Sequence, residues 1–174
     1  MNNENVKIAL DKFLKQTIKK AQNNLKGRGI DASGELSKSF TYDLTVSPNS
    51  FSAKIFAKRY AKFIDEGVSG VEKKRNTPYS YKRKGGSGSL KGMPPPSAFD
   101  KWSIRRAIAP RSTLGTFLPR KSVNFAIAVG VFKHGIKPTY FFKDAYENEF
   151  NKLSNEVIEA YALDTENFLN FIWQ

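Results

Sequence analysis

Nucleophilic and metal-binding side chains are scarce in this sequence of 174 residues. It contains no cysteine and a single histidine, His134, which excludes disulfide scaffolds, thiol nucleophiles, iron–sulfur clusters and multi-histidine metal sites. His134 precedes Gly135 at the end of a predicted helix, where an imidazole interacts with the helix dipole. A serine triad would need an oriented acid beside this histidine, and the sequence has no Gly-x-Ser-x-Gly elbow. We therefore expect no catalytic residue and no metal site.

Two other patterns resemble catalytic or phosphate-binding motifs only superficially. Asp65 and Glu66 are the only adjacent pair of acids, but neighbouring side chains diverge on a helix and on a strand alike. The glycine-rich segment 85–92 lacks the Gly-Lys-Ser/Thr ending of a phosphate-binding loop, since Gly92 follows Lys91. We interpret this segment as a flexible linker. The sequence therefore predicts neither an enzyme nor a bound cofactor.

Positive charge is concentrated in the middle of the chain. Lys and Arg number 29 against 16 acids, a net charge of +13, and residues 71–121 alone carry 13 basic and two acidic side chains. Such charge favours a polyanionic partner: nucleic acid, an acidic protein surface or an anionic membrane. Because no reading element such as a helix-turn-helix is visible, contact with DNA would be non-specific, with Tyr79 and Tyr81 available to stack on bases. The basic candidates for these contacts are Lys73, Lys74, Arg75, Lys82, Arg83, Lys84, Arg105 and Arg106.

Hydrophobic spacing in the first third of the chain predicts a helix and a hairpin. Residues 4–26 predict an amphipathic helix that ends at Gly27 and Gly29. Its inward face would hold Val6, Leu10, Phe13, Leu14, Thr17, Ala21 and Leu25. Alternating apolar residues predict an antiparallel hairpin over 38–57 with its turn at 47–50. The strands would be half-buried, with the alternating apolar residues Phe40, Tyr42, Leu44 and Val46 on the first and Phe51, Ala53, Ile55 and Ala57 on the second.

Helical spacing returns in the second half of the chain. A short helix should end at Gly67, Ser97 should cap a helix that ends at Pro110, and Ser122 should cap a helix that is apolar all round and buried. A C-terminal helix follows Pro138. Its predicted inward residues are Ala145, Phe150, Leu153, Val157, Ala160 and Tyr161, and its predicted outward acids are Glu147, Glu149, Glu156 and Glu159. A separate apolar segment ends the chain, with candidate partner-docking residues Phe168, Phe171, Ile172 and Trp173.

These elements predict a single α+β domain over residues 1–174. An N-terminal amphipathic helix, a small antiparallel sheet and C-terminal helices packed on it would form the core. A basic, flexible insertion at about 68–121 would interrupt the domain, because long stretches without hydrophobic period are typical of functional or disordered loops. The N-terminus is polar, and no window holds the roughly 18 apolar residues of a membrane span. We therefore expect no membrane contact and folding in a cytoplasm.

Three separated segments carry recognisable motifs. Residues 30–40 resemble the pattern Pro-hydrophobe-Asp-Thr-Gly-x-Leu-x-x-Ser, with Gly29 where a Pro is common, Ser33 in place of the Thr, and Ala32 as an extra residue before it. Residues 60–67 follow Tyr-Ala-x-hydrophobe-hydrophobe-Glu-x-Gly, with Gly67 directly after Glu66, and residues 138–145 follow Pro-x-x-Phe-hydrophobe-x-x-Ala. Together, in this order, they resemble the small neck proteins of tailed bacteriophages, called tail-completion, head–tail joining or minor tail proteins. The matching positions are Asp31, Ser33, Gly34, Leu36, Ser39, Tyr60, Ala61, Phe63, Glu66, Gly67, Pro138, Phe141, Phe142 and Ala145.

The resemblance implies a structural virion protein without catalytic activity. Its subunits would form a ring, sixfold or twelvefold, that docks between the portal or its adaptor and the tail proteins, after assembly in the cytoplasm of the bacterial host. The insertion at 68–121 departs from the compact form of the family, so its partner, packaged DNA or acidic protein, is not inherited from the resemblance. The alternative function is a non-specific DNA-binding protein that uses residues 71–121. A third, a small hydrolase, would have to be built on His134.

Overall fold

The structure is a computed structural model that describes residues 3–31, 33–47 and 50–172. It is a mixed α+β fold, as predicted from the sequence. The chain divides into two compact units: unit 1 combines the residues up to Arg59 with those from Phe141 onward, and unit 2 is Tyr60–Tyr140. The predicted insertion at 68–121 lies wholly within unit 2.

Six α-helices and four strands are assigned within the described residues. Unit 1 begins with the helices α1 (Glu4–Gly27) and α2 (Glu35–Lys38) and the strands β1 (Thr41–Ser47) and β2 (Ser50–Phe56). Unit 2 contains α3 (Ala61–Asp65), β3 (Val68–Ser69), a 3-10 turn (Pro96–Phe99), α4 (Asp100–Arg105), α5 (Arg120–His134) and β4 (Gly135–Ile136). The chain then returns to unit 1 as α6 (Phe141–Ile172).

Unit 1 is built on the antiparallel pair of α1 and α6. All seven residues predicted for the inward face of α1 are buried, which confirms the helical spacing. Ion pairs join the two helices along their length, with 2.8 Å from Lys12 to Glu156 and 2.6 Å from Arg28 to Asp144. The buried Asp164 carboxylate accepts hydrogen bonds from the N–H groups of Asn5 and Val6, each at 3.2 Å. Asp164 therefore satisfies the free N–H groups at the start of α1.

The hairpin of unit 1 covers the helix pair only in part. β1 and β2 are antiparallel with Leu44 opposite Ala53 and Val46 opposite Phe51, and Leu44 packs on the core formed around Val6. The register places Phe51 and Ala53 on the same face as Val46 and Leu44, as the alternation predicts, but both are exposed. The turn end of the hairpin lies level with the start of α1, where Asn3 donates to Ser47 O at 3.4 Å. Phe51 therefore has little of the surface of α1 to pack against. The turn residues Pro48 and Asn49 lie outside the described residues.

The C-terminal helix differs from its prediction in three ways. α6 runs without interruption to Ile172, so the separate final segment is wrong. Phe150 and Tyr161 are exposed, because α6 faces α1 along one stripe and these side chains lie beside it. Glu149 is buried instead of outward, 3.1 Å from Lys20 and 3.3 Å from Lys152. Burial alone would raise the pKa of Glu149, but hydrogen bonds from the two lysines outweigh it and lower the pKa.

Helix ends in unit 2 also depart from the prediction. α4 ends at Arg105 because Ala107 adopts a left-handed φ of +50°, so Pro110 does not terminate it. Ser97 lies inside the 3-10 turn and Ser122 lies inside α5, and neither caps a helix. α5 is not buried all round, since Phe125 is 47% exposed. The predicted end of α5 at Gly135 is confirmed.

Unit 2 is closed where β3 pairs with β4. Val68 lies opposite Ile136 and Ser69 opposite Gly135. Gly135 has a φ of +73°, and a Cβ there would meet the carbonyl of Val68 and the N–H of Gly70. Only glycine allows both this conformation and this approach. A side chain at Gly135 would therefore push the two strands apart.

We expect Gly135→Ala to lower the free energy of unfolding by roughly 2–4 kcal/mol, because the methyl group combines a left-handed φ with a backbone collision. Urea denaturation followed by circular dichroism and tryptophan fluorescence measures the change. Gly130→Ala is the matched control, since Gly130 lies inside α5 with open space around it. That variant should gain about 0.5–1 kcal/mol from helix propensity. Equal unfolding free energies for the two variants would contradict the strand contact.

Candidate functional site

The first motif segment forms a hydrogen-bonded turn that starts α2. Asp31 Oδ2 accepts from the N–H of Ser37 at 2.7 Å, and Ser33 Oγ accepts from the N–H of Glu35 at 3.3 Å. Gly34 precedes α2 with a φ of +70°, a conformation that glycine adopts without strain. Burial alone would raise the pKa of Asp31, but hydrogen bonds from Ser37 and from N–H groups of the turn outweigh it and lower the pKa. Asp31 therefore stabilises the turn as a carboxylate. Ala32 lies outside the described residues.

The rest of this segment fastens α2 within unit 1. Leu36 is fully buried. Ser39 Oγ donates to Leu36 O at 2.8 Å and accepts from the N–H of Lys58 at 3.2 Å. The ring of Phe40 stacks on Phe142 at 6.2 Å and meets Phe141 edge-on at 6.3 Å. The first motif and the end of the third, including the buried Ala145, therefore pack within one unit.

The second motif and the beginning of the third meet in unit 2. Thr139 Oγ1 donates to Ile64 O at 2.8 Å, and the N–H of Tyr140 donates to Asp65 O at 2.9 Å. Gly67 has a φ of +76°, and a Cβ there would lie 2.7 Å from Ile136 O and from Pro138 N. The structure thus joins segments that are about 70 residues apart in the sequence.

Three residues of the second motif, Tyr60, Phe63 and Ile64, line an apolar groove of about 960 Å³ in unit 2. Phe63 meets Tyr79 edge-on at 4.8 Å, and Lys62 Nζ lies 5.1 Å from the Phe63 ring centre. Glu66 is half-buried. The groove is lined by Tyr60, Phe63, Ile64, Val68, Pro78, Tyr79, Ser80, Tyr81, Lys82, Ala98, Phe99, Trp102, Ile127, Val131, Gly135 and Ile136.

The two tyrosines that were predicted to stack on bases pack against other aromatic rings inside unit 2. Tyr79 packs on Phe63, and Tyr81 lies 6.1 Å from Phe132, edge-on. Burial raises the pKa of Tyr81. These rings are walls of the groove, and their packing inside the unit argues against the predicted role of free platforms for bases.

Two of the basic candidates stabilise the end of α5, Lys73 through its main chain and Arg75 through its side chain. The N–H groups of Val71 and Lys73 donate to Phe132 O and Lys133 O at 3.0 and 3.1 Å, and Arg75 Nε donates to His134 O at 3.2 Å. These donors satisfy carbonyls that a helix leaves free at its C-terminus. The positively charged side chain of Arg75 therefore stabilises the C-terminus of α5.

The other basic candidates differ in their surroundings. Glu72 lies 3.7 Å from Arg83 and 3.2 Å from Lys133, which offsets part of the charge. The remaining candidates are exposed on unit 2: Lys73, Lys74, Lys82, Lys84, Arg105 and Arg106. Unit 2 as a whole holds 16 basic and four acidic side chains, so it carries nearly all of the net charge.

His134 is the last residue of α5 and is exposed. Within the described part of the chain, no group of three or more acidic or histidine side chains is placed to hold a metal ion. None of the described helices is both long enough and apolar enough to cross a membrane. The side chains of Phe168, Phe171 and Ile172, and the whole of Trp173, lie outside the described part.

The groove itself was not predicted. Its walls come from the second motif, the tyrosines of the basic segment, Trp102 on α4, and Ile127 and Val131 on α5. Two features of the sequence indicate such a groove. One is Trp102, and the other is the apolar run of α5, in which several hydrophobic residues are not buried by packing.

We expect Asp31→Asn to lower the free energy of unfolding at pH 7 by about 1 kcal/mol, because a neutral amide accepts the hydrogen bonds of Ser37 and the turn more weakly than a carboxylate does. Since the folded-state pKa of Asp31 is lowered, its stabilisation is present above the ordinary aspartate pKa of about 3.9 and is lost as pH falls through the folded value. The difference between wild type and variant should therefore shrink in acid. Urea denaturation of both proteins at pH 7 and in acid measures it, and a difference independent of pH would contradict this role.

Comparison of the chain with protein-family models, curated proteins and solved structures finds no match. The resemblance to phage neck proteins therefore depends on the three motif segments themselves. The structure adds their placement: the first motif and the end of the third make contacts within unit 1, and the second motif and the beginning of the third make contacts within unit 2.

Proposed function

We propose that this chain is a structural virion protein of a tailed phage, which forms a ring at the head–tail interface. The observation that carries the proposal is the use of the three motif segments. Each contributes hydrogen bonds or tight glycine contacts that fix the backbone, through Asp31, Gly67 and Thr139. Motif residues that fix the backbone in this way are those expected in a structural protein whose function is assembly.

Ring assembly needs two different surfaces on each subunit, because head-to-tail contacts join unlike patches. Unit 2 offers an open apolar groove and a strongly basic surface. Unit 1 offers exposed apolar side chains on α6, among them Ile158 and Tyr161. These surfaces support oligomerisation and docking on portal, adaptor or tail proteins during assembly in the bacterial cytoplasm. The mechanism is closure of the ring, which joins the DNA exit path to the tail.

We expect the protein to be present in purified particles at about six or twelve copies each, as closed ring symmetry requires. Quantitative mass spectrometry against the major capsid protein of the same particles measures the ratio. Wild-type protein from the cell lysate is the reference for peptide detection. Abundance in cells together with absence from particles would overturn the virion proposal.

The alternative, non-specific DNA binding, is favoured by one specific observation. Unit 2 holds 16 basic against four acidic side chains, and Lys73, Lys74, Lys82 and Lys84 are exposed on it. Exposed lysines can neutralise phosphates and release counterions, which gives affinity without sequence preference.

If the alternative is right, Lys82→Glu combined with Lys84→Glu should abolish retention of the protein on DNA at moderate salt. Arg83 stays unchanged because it faces Glu72 at 3.7 Å. A plot of log affinity against log salt concentration falls with a slope whose magnitude should decrease by about 0.9 for each phosphate contact that is lost. Fluorescence anisotropy with a duplex oligonucleotide measures both quantities.

The matched control reverses two exposed lysines of unit 1, Lys7 and Lys19, and so changes the net charge equally. Equal loss of binding in both variants would indicate attraction to net charge alone. Unchanged binding in the unit 2 variant would remove these lysines as a DNA site.

A further inference from the structure

The segment 104–121 of unit 2 is almost entirely uncovered by the rest of the chain. Every residue in it except Ser112 is exposed, and Leu114 reaches 89% exposure and Phe117 64%. Five large apolar side chains are exposed in this one segment: Ile104, Ile108, Leu114, Phe117 and Leu118. Single apolar side chains are ordinary on a protein surface, but a group of this size marks an interaction site.

The middle of the segment, residues 110–118, is a preformed hairpin that we name the arm. The N–H of Ser112 donates to Thr116 O at 2.8 Å, and the N–H of Gly115 donates to Ser112 O at 2.9 Å. Gly115 has a φ of +80°, and a turn followed by a left-handed residue is a common three-residue connection of a hairpin. Leu114 is therefore held at the apex by the backbone, so binding through Leu114 costs little conformational entropy.

Positive charge lies on both sides of the arm in the sequence. Residues 101–143 contain nine basic side chains and no acid. Within the arm, the Arg111 guanidinium lies 4.4 Å from the centre of the Phe117 ring. Arg120 lies 3.9 Å from Asp100. The basic side chains that flank the arm are all exposed: Arg105, Arg106, Arg120 and Lys121. A partner that suits this segment combines a negatively charged surface with an apolar phase.

We propose that the arm binds the surface of a bilayer that contains anionic lipids. Leu114 and Phe117 enter the apolar layer, and the basic side chains on either side of the arm contact the lipid phosphates. Buried apolar area and attraction to anionic lipid together hold segments of this kind at a membrane surface. Such a contact needs neither a leader peptide nor a spanning helix, the two features on which the expectation of no membrane contact depends. The inference goes beyond the proposed ring and does not depend on it.

The length of the arm suits this contact. Leu114 lies four residues from each end of the hairpin, at Pro110 and Leu118, which are joined by a backbone hydrogen bond of 3.0 Å. Four extended residues reach at most about 13 Å, and interfacial segments enter the boundary between headgroups and acyl chains by about 5–10 Å. The apex therefore reaches the acyl chains while Arg105 and Lys121 remain at the headgroups.

Two other partners fit the arm less well. DNA would satisfy the arginines, but proteins insert single apolar wedges between bases, and most of the exposed apolar side chains would stay in water. The groove of unit 2 on a second copy is apolar, but Lys82 lines it and Lys62 lies 5.3 Å from the centre of the Tyr79 ring in its wall. Like charges across that contact would disfavour association.

Vesicle flotation of the full-length protein tests the contact. One set of vesicles is phosphatidylcholine mixed with phosphatidylglycerol, and the other is phosphatidylcholine alone. We expect the protein to float with the mixed vesicles at low salt. It should float much less with the neutral vesicles or after addition of salt, because salt screens the charge of the headgroups.

Two apolar substitutions test the apex of the arm. Leu114→Ser combined with Phe117→Ser should lower the partition coefficient onto mixed vesicles at least about tenfold, because binding would bury both side chains. The matched control, Ile158→Ser combined with Tyr161→Ser, removes apolar side chains that are 68% and 52% exposed on unit 1. This control should bind as the wild type does.

Two neutralising substitutions test the basic flanks. Arg105→Gln combined with Lys121→Gln should lower the partition coefficient roughly 25-fold, as about 1 kcal/mol for each basic residue near an anionic surface implies. The matched control is Lys7→Gln combined with Lys19→Gln, at exposed positions of unit 1. It changes the net charge equally and should lower binding far less.

A fluorophore on the arm shows which part of the chain enters the bilayer. The chain has no cysteine, so Leu114→Cys carries a single nitrobenzoxadiazole label, whose emission shifts to the blue in an apolar phase. Ser87→Cys is the matched control, since Ser87 is exposed in the glycine-rich segment of the same unit. We expect a blue shift at position 114 and none at position 87 when mixed vesicles are added.

Failure to float with the mixed vesicles would overturn the proposal, and so would equal flotation with neutral vesicles. Flotation that the arm substitutions leave unchanged, or that brings no blue shift at position 114, would assign the membrane contact to another surface and overturn it as well. A blue shift with duplex DNA and none with vesicles would assign the arm to nucleic acid instead.

Discussion

Backbone contact at three glycines closes unit 2, and the arrangement of the groove depends on it. Gly67, Gly70 and Gly135 lie so close to neighbouring main-chain atoms that a Cβ at any of them would collide. The contact holds α3 and β3 against β4 and the end of α5. Because the groove is lined from both sides of this contact, the spacing of its walls is set by main-chain atoms, which cannot change rotamer as side chains do.

Helical and strand spacing predicted the elements of unit 1 well because burial there is decided locally. Each residue chosen for the inward face of α1 is buried, since one long helix packs along its length on another. Glu149 and Phe150 were misplaced because their surroundings depend on partners distant in the sequence, such as Lys20 for Glu149. Periodicity indicates which face of an element is apolar, but it does not indicate how much of that face a neighbour covers.

The groove and the contacts made by the basic segment could not be predicted from the sequence, for a related reason. Residues 71–73 have no hydrophobic period, yet their main-chain N–H groups satisfy the carbonyl end of α5, a role that no pattern of side-chain types records. Tyr79 and Tyr81 occur among lysines and arginines in the sequence, so their packing on Phe63 and Phe132 becomes visible only once α3 and α5 are placed. The total charge indicated correctly which part of the chain is basic, since unit 2 holds 16 of the 29 basic residues. The charge of a single residue did not indicate which contacts its side chain makes.

The chain enters and leaves unit 2 at adjacent points, because Thr139 and Tyr140 bond to the carbonyls of Ile64 and Asp65. A segment whose ends meet can be lengthened, shortened or replaced without altering the path of the chain outside it. The pairing of α1 with α6 therefore places little restriction on the 81 residues between Arg59 and Phe141. Unit 1 can remain constant while the intervening segment diverges, so sequence change between relatives of this protein should accumulate there at less cost to folding.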